Sequence, residues 1–454
     1  MHLPIGIKLG LNVKQAPIAP LTCRLLSRAY SWPMRLLVFA LLTCLSLNAE
    51  NWPMWRGTTG LGITKEKNLP LKWSATENIA WKVALPYRGN STPIVWGEKI
   101  FLTQPLEKEK ERALICMDRL DGKILWQRTV KYSTAESSHR TNPYCSESPA
   151  TDGERVVVVY GSAGVVCYDY KGKQLWQRDL GKIQFEWGSA ASPVIHGNHV
   201  YIYRGPDPNS HLLALDKRTG KTVWKLNDPP VNVIGRTDGF KNNKDRKWIC
   251  SFSTPILLKI GTNEELVMSY PGNLAGINPA TGKLLWKCEG LNPLIYSSPI
   301  AGEGVVIGTG GYFGSTVAVK YGGKGNVTSQ TLWRIERTAN RLGSGVVHKG
   351  HAYILNTNGL MECHDLKSGK VLFSERVRGR GAKQESWSSM IIAGDRIYIP
   401  NQSGETIIMQ ASPKFQLIGI NELDGSLTNS SLAASDGQIF LRTHKHLWCI
   451  GKRR

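Results

Sequence analysis

The sequence predicts an all-β fold, an eight-bladed β-propeller of four-stranded antiparallel blades closed by pairing of its N- and C-terminal strands. Three observations predict it. A turn-plus-aromatic motif recurs along the chain, a Ser/Thr step marks eight repeats, and the steps are one blade's length apart.

The motif is an Asp or Asn, a Gly-Lys turn, two further residues and an aromatic. It runs from Asp118 through Gly122-Lys123 to Trp126, and from Asp169 through Gly172-Lys173 to Trp176. It returns from Asp216 through Gly220-Lys221 to Trp224, and from Asn278 through Gly282-Lys283 to Trp286. Asp365 through Gly369-Lys370 ends on Phe373, and Lys320 to Trp333 is a copy stretched by a Gly-rich turn. The acidic residue caps the turn and the glycine supplies a positive φ. The aromatic is expected to pack between neighbouring sheets with its N–H on backbone.

The steps fall at Thr92-Pro93, Ser148-Pro149, Ser192-Pro193, Thr254-Pro255, Ser298-Pro299, Ser344-Gly345, Ser388-Ser389 and Ser430-Ser431. The last five are spaced by 44, 46, 44 and 42 residues. Within one repeat the alternation marks strands at Ser192–Ile195, His199–Tyr203, His211–Leu215 and Thr222–Leu226. After Ser430-Ser431 only Gln438–Arg442 and His446–Ile450 follow, so the last blade is one strand short. Ile79-Ala80-Trp81-Lys82-Val83 resembles the Trp-bearing strand of the other blades and supplies the missing one. No segment keeps a helical period, which excludes Rossmann and TIM-barrel enzymes.

Residues 50–454 are therefore read as a single propeller domain. Ahead of them, Met34-Arg35 and the apolar run Leu36 to Leu47, ending at Ala49, describe a signal peptide over residues 34–49. The run is too short for an ordinary membrane span. Residues 1–33 are an upstream segment outside the mature product, or else a long n-region. The predicted location is periplasmic or secreted. Cys44 offers the alternative of a lipid anchor, which the threonine before it disfavours.

The chain carries a net charge of +22 from 57 basic and 35 acidic residues. Five of those bases and none of the acids precede residue 50, so the propeller itself is still at +17. Such a surface suits an anionic polymer, although a solvated surface is the plain reading. The export signal argues against nucleic acid.

Of the nine cysteines, Cys116, Cys167 and Cys363 each stand two residues before the turn Asp. Other repeats hold Ala214, Gly276 and Ala318 there, so the slot wants a small residue, and Cys449 fills it too. Cys145, Cys250 and Cys288 lie elsewhere. Export permits a disulfide among them, without fixing a pairing.

These repeats resemble the pyrroloquinoline quinone (PQQ) repeat propellers, whose Asp-x-x-Thr-Gly-Lys-x-x-Trp hallmark is matched best by Asp216–Trp224 and Asn278–Trp286. The opening Asn51-Trp52-Pro53-Met54-Trp55-Arg56-Gly57 is similar to a subgroup of exported bacterial propellers. The resemblance covers residues 51 to 450 and implies one of two functions. One branch consists of quinone-dependent dehydrogenases with PQQ and Ca²⁺ on the axis. The other consists of non-enzymatic BamB-like scaffolds that bind a protein in the envelope. The dehydrogenases' vicinal cysteine pair and pocket-walling insertions have no counterpart in this chain. The scaffold reading is favoured, with no resident cofactor expected and PQQ with Ca²⁺ as the alternative.

His139, Arg140 and Asn142, in the most polar loop, are candidate ligand-binding residues on the axial face, against the plain reading of a solvated loop. Trp187 and Trp387 precede innermost strands and are candidates to face the axial mouth, against core packing. Arg341 and Arg380 are candidate cations for an anionic ligand such as a quinone carboxylate. The repeat aromatics Trp81, Trp126, Trp176, Trp224, Trp286, Trp333 and Phe373 are assigned structural roles. Gly308–Gly314 is read as a strand connection because no helix follows to meet a phosphate. His444 and His446 lack further metal ligands.

Overall fold

The computed structural model describes residues 50–134, 136–231 and 249–453. The upstream segment, the signal peptide and Cys44 lie outside these residues. The described chain is all-β apart from two short 3₁₀ turns, and its strands form eight blades. Blade 1 spans Ile94–Trp96 to Ile124–Lys131, blade 2 Ala150–Thr151 to Gln174–Arg178, and blade 3 Val194–His196 to Thr222–Asn227. Blade 4 spans Ile256–Ile260 to Leu284–Glu289, blade 5 Ile300–Gly302 to Trp333–Ile335, and blade 6 Val346–His348 to Val371–Arg376. Blade 7 spans Ile391–Ala393 to Leu417–Asn421. Blade 8 is Ala433–Ser435, Gln438–Arg442 and His446–Ile450, completed by Ile79–Ala84 in antiparallel register with His446–Ile450. The ring thus closes by sheet pairing of its two ends, as the sequence predicts.

At the periphery four of the seams between blades are clamped by the recurrent motif. Trp81 of blade 8 donates its indole N–H to the Arg119 carbonyl of blade 1 at 2.9 Å. Trp176, Trp224 and Trp333 do the same to Lys217, Pro279 and Leu366 of the following blades, at 3.0, 2.9 and 2.9 Å. Every acceptor is the residue just after the turn Asp or Asn. The turn glycine lies flat against the ring: a Cβ on Gly220, at φ +69°, would fall 2.7 Å from the Trp176 ring. The motif is therefore split across a blade boundary, its turn reading the tryptophan of the blade before. The small-residue slot faces the same aromatic across the strand pair, as in Cys116↔Trp126, Cys167↔Trp176 and Ala214↔Trp224. At Gly276 a Cβ would meet the Trp286 ring at 2.1 Å, so only glycine fits.

Trp126 covers Gly172 but its N–H has no partner among the described residues, Phe373 has no N–H to give, and the seam between blades 4 and 5 departs furthest. There the turn of blade 5 is expanded, and its excursion adds Gly325–Asn326 as a parallel strand on the outer edge of blade 4. Trp286 is fully buried and donates to Glu265 Oε2 of its own blade at 2.8 Å.

At the axis the Ser/Thr steps form a closed ring. The backbone N–H of Thr92 donates to Ser148 Oγ at 2.9 Å, Ser148 to Ser192 at 3.0 Å, and Ser192 to Thr254 at 3.0 Å. Thr254 donates to Ser298 at 2.8 Å, Ser298 to Ser344 at 3.0 Å, and Ser344 to Ser389 at 2.9 Å. Ser389 donates to Ser431 at 3.0 Å and Ser431 returns to Thr92 Oγ1 at 3.1 Å. An innermost strand has no strand beside it to accept these N–H groups, and the next blade's hydroxyl satisfies them. In blades 7 and 8 the ring residue is the second serine of each pair, one position later than the step was counted from sequence.

The segment before the closing strand crosses one end of the propeller as a strap. Trp52 exchanges backbone hydrogen bonds with Val95 of blade 1, and Pro53 accepts from Thr151 of blade 2. Met54 packs on blades 3 and 4, Ile63–Thr64 pairs in parallel with Ile392–Ala393 of blade 7, and Trp73 N–H reaches Asn421 at 2.9 Å. Arg56 is fully buried beneath it, with Nη2 donating to the carbonyls of Leu61 at 2.8 Å and of Gly345. Burial pushes its guanidinium down to about 9.

Candidate functional site

The opposite end of the axis is built from the loops that enter each blade and those that join its second and third strands. They surround a cavity of about 580 Å³, within the ~300–1,000 Å³ usual for small-molecule sites. Six ring residues, Thr92, Ser192, Thr254, Ser344, Ser389 and Ser431, line it, and so does Trp55 of the strap.

Above the ring sits a second tier. A strand's side chains alternate, so the residue two before each ring hydroxyl lies on the same side. All eight such residues line the cavity: Asn90, Ser146, Ala190, Phe252, Tyr296, Leu342, Trp387 and Asn429, for blades 1 to 8 in order. The polar members come from blades 8, 1 and 2. The aromatic ones come from blades 4 and 5, across the ring, and from blade 7, next to blade 8. Trp187, Tyr296 and Phe252 continue the aromatic wall as a series of stacked rings, with centroids 6.2 Å and 5.4 Å apart. Tyr312 meets Tyr296 edge-on at 5.3 Å.

Of the candidates read from sequence, the fold brings His139, Arg140, Asn142, Trp187 and Trp387 to this one cavity. The polar loop is more tightly held than a solvated loop. Asn142 Nδ2 donates to the carbonyls of Trp187 at 2.7 Å and Ser189 at 3.1 Å. The Thr141 carbonyl accepts from Asn90 and Asn429, both at 2.9 Å. His139 Nδ1 lies 2.7 Å from the Thr141 hydroxyl, and burial together with Arg140 lowers its tendency to protonate.

Arg341 and Arg380 are elsewhere. Arg341 is buried inside blades 5 and 6, donating to Asn356 at 3.0 Å and Thr316 at 2.6 Å and pairing with Glu362. It neutralises a carboxylate from a distant strand, which no local pattern foretells. Arg380 is exposed, with Nη1 3.3 Å from Glu422. Neither lines the cavity. The aromatics and amides of the second tier, Tyr296 and Phe252 above all, were missed from sequence. The signal was present: reading two residues upstream of each ring hydroxyl, which is the second serine of the step in blades 7 and 8, finds the whole tier.

The ionisable side chains lining the cavity are His139, Arg140, Glu385 and the two tyrosines, with Arg140 and Glu385 exposed at the rim. Burial raises Tyr312 and holds Tyr296 far above the usual phenol range, so both stay neutral. The seven described cysteines are all buried, and none lines the cavity. Burial pushes the Cys116 and Cys167 thiols up to about 12, which removes their nucleophilic form at neutral pH. Such a surface binds by stacking and hydrogen bonding.

Residues 112–293 match the family model described as outer membrane protein assembly factor BamB. The chain is 22% identical over 333 residues to that factor from Moranella endobia (strain PCIT), covering 67% of this chain and 74% of the relative. It is 23% identical over 305 residues to the Yersinia pestis factor, covering 62% and 68%. BamB from Moraxella catarrhalis superposes with a TM-score of 0.54 at 13% identity, over 81% of this chain and 98% of that one. The quinohemoprotein alcohol dehydrogenase of Comamonas testosteroni superposes at 0.64 with 10% identity, over 89% and 81%, a likeness of fold alone. The chain is thus a propeller of the pyrroloquinoline-quinone-repeat type, BamB-like in sequence and in fold.

Proposed function

We propose that this protein is an exported, non-catalytic propeller that serves as a binding scaffold in the cell envelope, presenting its cavity end to a protein partner. The observation that carries this reading is the asymmetry of the two ends. One is covered by the strap from Trp52 to Trp73, and the other is an open, loop-built rim around a recess. The BamB relatives are named for outer-membrane protein assembly, and that supports a partner drawn from this process. The basic surface makes an anionic polymer a secondary ligand of the same envelope setting.

The residues present do not fit the quinone cofactor of the dehydrogenase branch. Three quinone carboxylates and a Ca²⁺ ion call for several cations and a cluster of oxygen ligands. Among the described residues, Arg140 is the one arginine or lysine lining the cavity, and no metal-holding group of His, Cys, Asp or Glu occurs.

A photo-crosslinking amino acid placed at Arg378, on the blade 6–7 loop, and at Lys65, on the strap, tests the reading in cells that express the full chain. Adducts with an outer-membrane assembly component from Arg378 and not from Lys65 are expected. Adducts from the strap alone, or a protein retained in the cytoplasm, would overturn it.

A further inference from the structure

The cavity is two-faced, and its chemistry specifies a class of ligand. We propose that it binds a short neutral oligosaccharide, a reading that rests on the cavity end being the binding face. Asn429, Asn90 and Ser146, of blades 8, 1 and 2, form one wall, Phe252 and Tyr296, of blades 4 and 5, form the wall across the ring, and Trp387 of blade 7 stands beside Asn429. A sugar ring has the same duality. Its C–H face carries slight positive charge and settles on the negative face of an aromatic ring. Its hydroxyls, in the plane, seek amides and other hydroxyls.

A second observation points the same way. Asn90 Oδ1, Asn340 Oδ1, the Tyr296 hydroxyl and Trp387 Nε1 are shielded from solvent and lack a hydrogen-bond partner among the described residues. All four belong to side chains of the cavity wall. Two accept, one donates and one does either, which is the mixture that ligand hydroxyls complement. A ligand hydroxyl reaches these atoms once their side chains turn toward the recess, whereas an apolar ligand offers them no partner. A multiply charged anion would find a single arginine, opposed by Glu385. Below, the ring hydroxyls already accept a backbone N–H each and keep a proton to donate.

The test is titration of residues 50–454 with maltotriose, cellotriose, xylotriose and chitotriose, followed by tryptophan fluorescence and calorimetry. At least one sugar is expected to bind saturably, with an affinity unchanged by salt. Trp387→Ala should weaken it at least about tenfold (~1.4 kcal/mol). Asn340→Ala should weaken it too, with unfolding temperatures of both variants near wild type showing that the fold survives. No saturation by any of the four up to about 10 mM would overturn the proposal. Binding only to an acidic polysaccharide, lost in salt, would overturn it as well. Either failure leaves the crosslinking result at Arg378 untouched, so the scaffold reading is judged separately.

Discussion

The periphery and the axis of this propeller join neighbouring blades in the same direction, donor in one blade and acceptor in the next, but with different chemistry. At the periphery an indole covers a glycine turn and donates to its backbone, as Trp224 does to Pro279 at 2.9 Å. At the axis a backbone N–H meets a small hydroxyl, as Thr254 does with Ser298 at 2.8 Å. The outer edge has room between diverging sheets for a large ring, whereas converging inner strands have room only for serine or threonine. The outer clamp also tolerates exceptions: Trp286 turns to Glu265 where the next turn is expanded, and Phe373 has no N–H to give. The inner ring has none. The small side chains at the axis leave the space that becomes the cavity.

The comparison can be broken by mutation. Trp224→Ala removes a ring that is 8% exposed and should cost roughly 3–5 kcal/mol, measured by denaturant unfolding. Ser298→Ala orphans the Thr254 N–H and should cost about 1–3 kcal/mol, while Ser298→Thr, which restores the acceptor, should recover most of it. Equal losses from Trp224→Ala and Ser298→Ala, or no rescue by threonine, would erase the distinction between the two seams.

A smaller effect sharpens it. Glu147 stands beside ring residue Ser148, and burial raises its carboxyl to about 7, against the hydrogen bond that Ser189 donates to it. Its folded form therefore holds a proton that the unfolded chain releases near pH 4.5. Stability from this group is present at low pH and declines as pH rises toward 7, by at most about 3 kcal/mol. Asp228, raised to about 7 by burial, adds to the same trend. Unfolding midpoints at pH 5 and pH 8 should fall in the wild type and fall less in Glu147→Gln. An equal fall in the two would place the titration elsewhere.

Much of this was legible in the sequence because repeats report what every blade needs. The eight steps gave the blade count, Ile79–Val83 gave the closing strand, and the Cys/Ala/Gly alternation at Cys116 and Gly276 exposed a packing slot against the aromatic. The site was legible in part. His139, Arg140, Asn142, Trp187 and Trp387 were candidates from loop polarity and from their position before the inner strands, and the fold gathers them around one cavity. Phe252 and Tyr296 occupy the same register as Asn90, and their chemical variety hid a position that is constant only in geometry. Arg341 and Arg380 were misplaced because charge is visible in a sequence and its partner is not. Glu362 and Glu422 reach them from 21 and 42 residues away. The strap was equally hidden, since Trp52 to Trp73 holds to blades throughout the ring without a regular pattern of its own.

The non-catalytic reading is tested most directly by titrating residues 50–454 with pyrroloquinoline quinone and Ca²⁺ in a calorimeter, with dye-linked alcohol oxidation assayed on the same sample. Neither saturable heat nor turnover is expected, because Arg140 alone cannot balance the quinone's carboxylates. Saturable binding accompanied by turnover would contradict the account and make the axial cavity a dehydrogenase site.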